Sequence, residues 1–133
     1  MIISINRDGV CMGDDAMDHQ REITIDDNAT ARDLLNKLLE IDYLPDLTDA
    51  IWYTWSSDVP CLIAWSCKKK KVIAEMRDIP LEKENKAGYF FIHLSKRDLQ
   101  ILKDSIKETP GIWYDKDYFG GKSLSRILCK PPQ

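Results

Sequence analysis

The stretch Glu22-Ile23-Thr24-Ile25-Asp26 and the run Leu34-Leu35-Asn36-Lys37-Leu38-Leu39-Glu40-Ile41 shortly after it decide the fold of this 133-residue chain. In the first, Ile23 and Ile25 alternate with Glu22, Thr24 and Asp26, the period-two pattern of a half-buried strand. In the second, apolar residues return at spacings of three and four, which makes one stripe along a helix. Asp27, Asn28 or Thr30 can cap that helix, and Thr30-Ala31-Arg32-Asp33 has the form of a capping box. Asp42-Tyr43-Leu44-Pro45 is expected to end it, since Pro45 disfavours helical geometry at the residue before it.

Working outward, Ile2-Ile3-Ser4-Ile5 reads as a first strand that pairs with residues 22–26 and so buries both sets of isoleucines. Arg7-Asp8-Gly9 is turn chemistry, and Val10-Cys11-Met12 extends the strand before Gly13. Ala50 to Trp55 is a third strand. Val59 to Cys67 has few polar residues on either face, as expected for a central strand covered on both sides. Lys68, Lys69, Lys70 and Lys71 then fall at a hairpin turn, whose expected role is a solvated tip. Val72 to Arg77 resumes alternation, with Val72, Ala74 and Met76 on one face. Residues 78–87 form a loop, and Gly88 to Leu94 a further strand. Ser95-Lys96-Arg97-Asp98 is a second capping-box form, opening a helix to about Glu108 with Leu99, Leu102 and Ile106 buried and Ile101 flanking. Ile112-Trp113-Tyr114 reads as a short strand, Gly120-Gly121 as a turn, and residues 123–128 as a short helix. The outcome is one α+β domain over residues 1–133, a mostly antiparallel sheet of five to seven strands with two main helices. Strand–strand–helix–strand over residues 2–55 has the element order of a β-grasp, an order that carries no function by itself.

Charge is distributed unevenly. Residues 1–60 hold 13 Asp/Glu against 4 Lys/Arg, and residues 61–133 hold 9 against 15, for a net −3. That balance speaks against a general binder of nucleic-acid backbone. No apolar window is long enough for a membrane span, and the N-terminus lacks the basic leader and apolar core of a signal peptide. The expected location is cytoplasmic, with Cys11, Cys61, Cys67 and Cys129 as reduced thiols. Their spacing fits no zinc pattern, and only His19 and His93 accompany them. No metal and no cofactor are expected.

Val10 to His19 is an acidic loop. Asp14, Asp15 and Asp18 lack the order of a calcium loop, so a protein-binding or merely solvated surface is the expectation. No nucleophile elbow, phosphate loop or dinucleotide fingerprint appears. Gly120-Gly121-Lys122-Ser123 lacks the first glycine of a phosphate loop. A catalytic role is therefore not expected, although Cys11 and His19 are close in sequence. The aromatics Trp52, Tyr53, Trp55, Trp65, Trp113, Tyr114 and Tyr118 exceed what one small core needs, so some must reach the surface.

The run Ser4-Ile5-Asn6-Arg7-Asp8-Gly9-Val10-Cys11-Met12-Gly13-Asp14-Asp15, with the Leu34–Pro45 helix end and the Trp-bearing strand after it, resembles small bacterial immunity proteins of contact-dependent growth inhibition and other polymorphic toxin systems. The resemblance covers about the first half of the chain. It implies a cytosolic protein that binds and neutralises one cognate toxin domain, a nuclease in many such systems. An acidic partner suits a basic nuclease cleft. On this reading Asp14, Asp15, Asp18, Asp26, Asp46, Asp49 and Asp58 lie on or near the contact surface, with Trp52 or Trp55 as anchor. The alternatives are a cytosolic adaptor of ubiquitin-like topology and a small Cys/His enzyme.

Overall fold

The computed structural model describes residues 1–9, 19–77, 79–82 and 88–120. Strands β1 (Ile2–Arg7) and β2 (Arg21–Thr24) pair antiparallel, with Ile3 opposite Ile23. Helix α1 (Ala31–Glu40) follows. Its capping box forms as expected: the Thr30 hydroxyl accepts the Asp33 N–H, and the Asp33 carboxylate accepts the Thr30 N–H at 2.9 Å. Leu34, Leu35 and Leu38 are completely buried, which stabilises the fold by about 1.5–3 kcal/mol each. The helix stops earlier than Pro45 would require. Tyr43 N–H bonds the Leu38 carbonyl and Asp42 N–H the Leu39 carbonyl, with Asp42 at φ +56°. That is a Schellman ending, and here an aspartate holds the left-handed position that glycine usually takes.

The remaining strands are β3 (Ile51–Thr54), β4 (Ile63–Ser66), β5 (Lys71–Glu75), β6 (Tyr89–Leu94) and β7 (Trp113–Tyr114). Among the described residues the strands make one seven-stranded sheet in the order β2-β1-β6-β3-β4-β5-β7. Only β1 and β6 run parallel among the described residues; every other strand pair there is antiparallel. The β6 strand thus inserts between β1 and β3. It enters through Gly88, at φ +75°, where a Cβ would stand 2.4 Å from the Ser4 carbonyl oxygen. A short 3₁₀ turn (Lys96–Asp98) leads into helix α2 (Leu99–Lys107). Here the second capping box does not form. Ser95 makes no cap hydrogen bond, and its hydroxyl donates instead to the Asp98 carboxylate.

The two helices lie on opposite faces. Helix α1 packs with Ile3, Ile5, Trp52, Ile63, Val72 and Phe91. Helix α2 packs Leu102 and Ile106 with Ile51, Tyr53, Ala64, Ile73 and Leu94. The expected shared face of Val72, Ala74 and Met76 is not realised. A register shift opposite Ala64/Trp65 inserts Ile73 as an extra residue. Val72 therefore faces α1, whereas Ile73 and Ala74 both join the α2 side. The short helix expected over residues 123–128 lies outside the described residues. Among the described residues, no helix is long and apolar enough to cross a membrane.

Candidate functional site

The predicted contact residues separate into several places. Asp14, Asp15 and Asp18, with Cys11 and Cys129, lie outside the described residues. Asp26 is exposed in the turn after β2, its carboxylate accepting the Asn28 N–H at 2.8 Å. Asp46 stands 2.8 Å from Lys70 Nζ, and Asp49 stands 4.0 Å from Lys68 Nζ. Both precede β3, whereas exposed Asp58 follows it. The four residues of β3 hold these ends about 13 Å apart. Asp46, Asp49 and Asp58 are thus not gathered into one patch.

The two candidate anchors also part. Trp52 is 1% exposed, and its indole N–H donates to the Pro45 carbonyl at 2.8 Å. It is core on the α1 side and out of reach of a partner, which corrects the expectation that it anchors one. Strand alternation puts Trp55 on the other face with Ile51 and Tyr53, and there it is 38% exposed. Its ring sits 5.8 Å from that of Tyr53 and 6.4 Å from that of Phe90, which is also 38% exposed.

These rings border a part of the sheet that no helix covers among the described residues. Since Ile3, Ile5 and Ile23 bury toward α1, the other face of β1 and β2 presents Ile2, Ser4, Asn6, Glu22 and Thr24. Among the described residues, the α2 core contains nothing from β1 or β2. Ile2 is accordingly 65% exposed. Phe90 carries no signal in the sequence because Tyr89-Phe90-Phe91-Ile92 is apolar throughout, so its face cannot be read without the pairing register. Covering the exposed part of two aromatic rings removes on the order of 150 Å² from water. At roughly 25 cal/mol per Å² that is about 4 kcal/mol, enough to anchor a complex.

A second cluster stands on the α1 face, where the parallel strands β1 and β6 end. His93 Nδ1 lies 2.9 Å from the Asp8 carboxylate, and its ring centroid is 5.3 Å from that of Trp52. Beside it the Arg7 guanidinium lies 5.7 Å from the Tyr43 ring centroid, and the Tyr43 hydroxyl donates to the His19 carbonyl. A carboxylate that orients an imidazole is half of a general-base arrangement; the other half is a nucleophile. Among the described residues, the only hydrogen-bond partner of His93's ring is Asp8. The two described cysteines do not supply a thiolate. Burial pushes the Cys61 thiol up to about 12, and burial raises Cys67 as well.

A third group is structural. Glu75 is 5% exposed, yet accepts hydrogen bonds from Arg32 Nη2 at 2.6 Å, Arg32 Nε at 3.0 Å and Arg77 Nε at 3.1 Å. Arg77 in turn stacks over Trp113 at 4.4 Å. The carboxylate ties α1 to β5, and its neighbours satisfy its charge. No protein-family model, curated protein or solved structure matches this chain.

Proposed function

We propose that this chain acts by binding another protein, as an immunity protein that covers and neutralises a cognate toxin domain. Its contact surface is the open face bordered by Trp55 and Phe90. The observation that carries this reading is the pair of half-exposed rings, packed on each other at the margin of a sheet strip that α2 leaves uncovered among the described residues. A rigid sheet presenting preformed aromatic anchors loses little conformational freedom on binding. Glu22 on the same face and Asp58 in the turn after β3, both exposed, add negative charge at the margin. That suits the basic surface of a nuclease and speeds encounter with it. The toxin class itself comes from the N-terminal resemblance.

The test takes as partner the C-terminal domain of any large secreted protein whose reading frame adjoins that of this chain. Co-expression with the wild-type chain should restore growth. The variant Trp55→Ala/Phe90→Ala should fail to protect and should bind at least 100-fold more weakly, as the loss of about 4 kcal/mol allows. Retained binding with a normally folded double variant rejects this face. Absence of both binding and protection by the wild-type chain rejects the immunity reading and favours the adaptor alternative.

A further inference from the structure

The four consecutive lysines, Lys68 to Lys70 in the β4–β5 turn and Lys71 opening β5, divide into two pairs. Lys70 Nζ lies 2.8 Å from Asp46, and Lys71 pairs with the Asp115 carboxylate. Lys68 comes no nearer than 4.0 Å to Asp49, and Lys69 has no ion pair among the described residues. The turn itself makes the division. Ser66 accepts the Lys69 N–H on its hydroxyl at 3.1 Å and the Lys70 N–H on its carbonyl at 2.8 Å, and Lys70 adopts φ +52°. The chain reverses there, so Lys70 borders a recess beside α1 while Lys68 and Lys69 border another beside α2.

That second recess is a cavity of about 280 Å³. Its third cation, Lys96, comes from the 3₁₀ turn ahead of α2, and like Lys69 it makes no ion pair among the described residues. Ile51, Leu99 and the Tyr118 ring supply apolar lining, and Asp49 and Asp117 also border it. Among the described residues, three lysines from two segments line this recess against two aspartates, and Lys68 already stands 4.0 Å from one of these, so Lys69 and Lys96 leave a net positive charge at its rim. An anion would balance it. Ammonium groups bind phosphate as point charges, and an adjoining ring and aliphatic wall suit an unsaturated ring on the same ligand.

We infer that this cavity binds a small phosphorylated molecule bearing a ring, of mononucleotide size. The phosphate is held by Lys69 and Lys96, with Lys68 adding charge. The ring lies against Tyr118 and Leu99. Asp49 and Asp117 accept from hydroxyl or amino groups of the ligand. At about 280 Å³ the recess lies just below the usual range for small-molecule sites, about 300–1,000 Å³, so it suits a single small molecule. The cavity adjoins Ile51, at the opposite end of β3 from Trp55, so ligand and protein partner do not compete for the same surface.

Isothermal titration of the full chain with adenosine monophosphate, and separately with pyrophosphate, tests this. The nucleotide should bind with a Kd below 1 mM. Lys69→Gln and Lys96→Gln should each weaken it about tenfold, at unchanged melting temperature because both side chains are exposed. Lys70→Gln should have no effect. Tyr118→Ala should weaken the nucleotide and leave pyrophosphate unchanged. Absence of nucleotide binding at millimolar concentration overturns the proposal. So does an equal loss in Lys70→Gln, which would mark diffuse charge attraction. Binding of both probes that ignores Tyr118→Ala would mark a bare phosphate site and overturn the ring assignment.

Discussion

Replacing Glu75 by glutamine removes a charge from the best-satisfied carboxylate in the sheet while preserving its shape. Burial by itself would raise the Glu75 pKa, but the hydrogen bonds and charges of Arg32 and Arg77 outweigh it and hold the group below its ordinary value of 4.5. Charge-assisted hydrogen bonds contribute about 1.5–3 kcal/mol in sum for such a site. The arginine side chains are 45% and 52% exposed, so water recovers part of what they lose. The expected loss at pH 7 is about 2 kcal/mol, or a fall in Tm of roughly 6–10 °C. Because the folded-state pKa is depressed, this stability is fully present above the unfolded value and fades as pH falls through the folded one. Urea unfolding followed by tryptophan fluorescence at pH 7 and at pH 3 measures both. The gap between wild type and Glu75→Gln should narrow at the lower pH. A gap that stays constant, or a variant as stable as wild type at pH 7, would refute the reasoning.

Gly88→Ala should destabilise by about 3 kcal/mol, from a strained positive φ plus a clash with the Ser4 backbone; a midpoint in urea within error of wild type would contradict this. Asp42→Gly should stabilise by about 0.5–1 kcal/mol, because the Schellman position at φ +56° suits glycine; calorimetry gives the sign directly. Cys61 is completely buried and its thiol is raised to about 12. Peptide mapping after iodoacetamide at pH 8 should find it unmodified in the folded protein and modified in urea.

Much of the fold was legible because it rests on short-range periodicity. The Ile23/Ile25 alternation and the Leu34–Leu38 stripe name their elements without help from the rest of the chain, and Thr30 and Asp33 announce the cap between them. What was not legible depends on register and on distance along the chain. Nothing in Val72-Ile73-Ala74 signals that Ile73 is extra, since a bulge is defined by the partner strand. The same is true of Phe90, whose exposure follows from the open face of β1. Asp8 and His93 meet only because β6 inserts beside β1, and they are 85 residues apart. Residues 1–60 are acidic in composition. That does not translate into one surface, because Asp46 and Asp49 are set against lysines from the β4–β5 turn, at the other end of β3 from Asp58. Trp52 and Trp55 look alike in sequence, but three residues apart on a strand they lie on opposite faces. One is core and the other is available.

Hydroxyl-radical footprinting of the chain, free and bound to a toxin domain of the kind the proposed function requires, reads side-chain exposure where it matters most. Trp55 and Phe90 should lose modification on binding, while Ile101 on α2, 50% exposed, keeps its own. Protection of α1 or of the lysine turn, with Trp55 and Phe90 as reactive as before, would show that the open sheet face is not where this protein meets its partner.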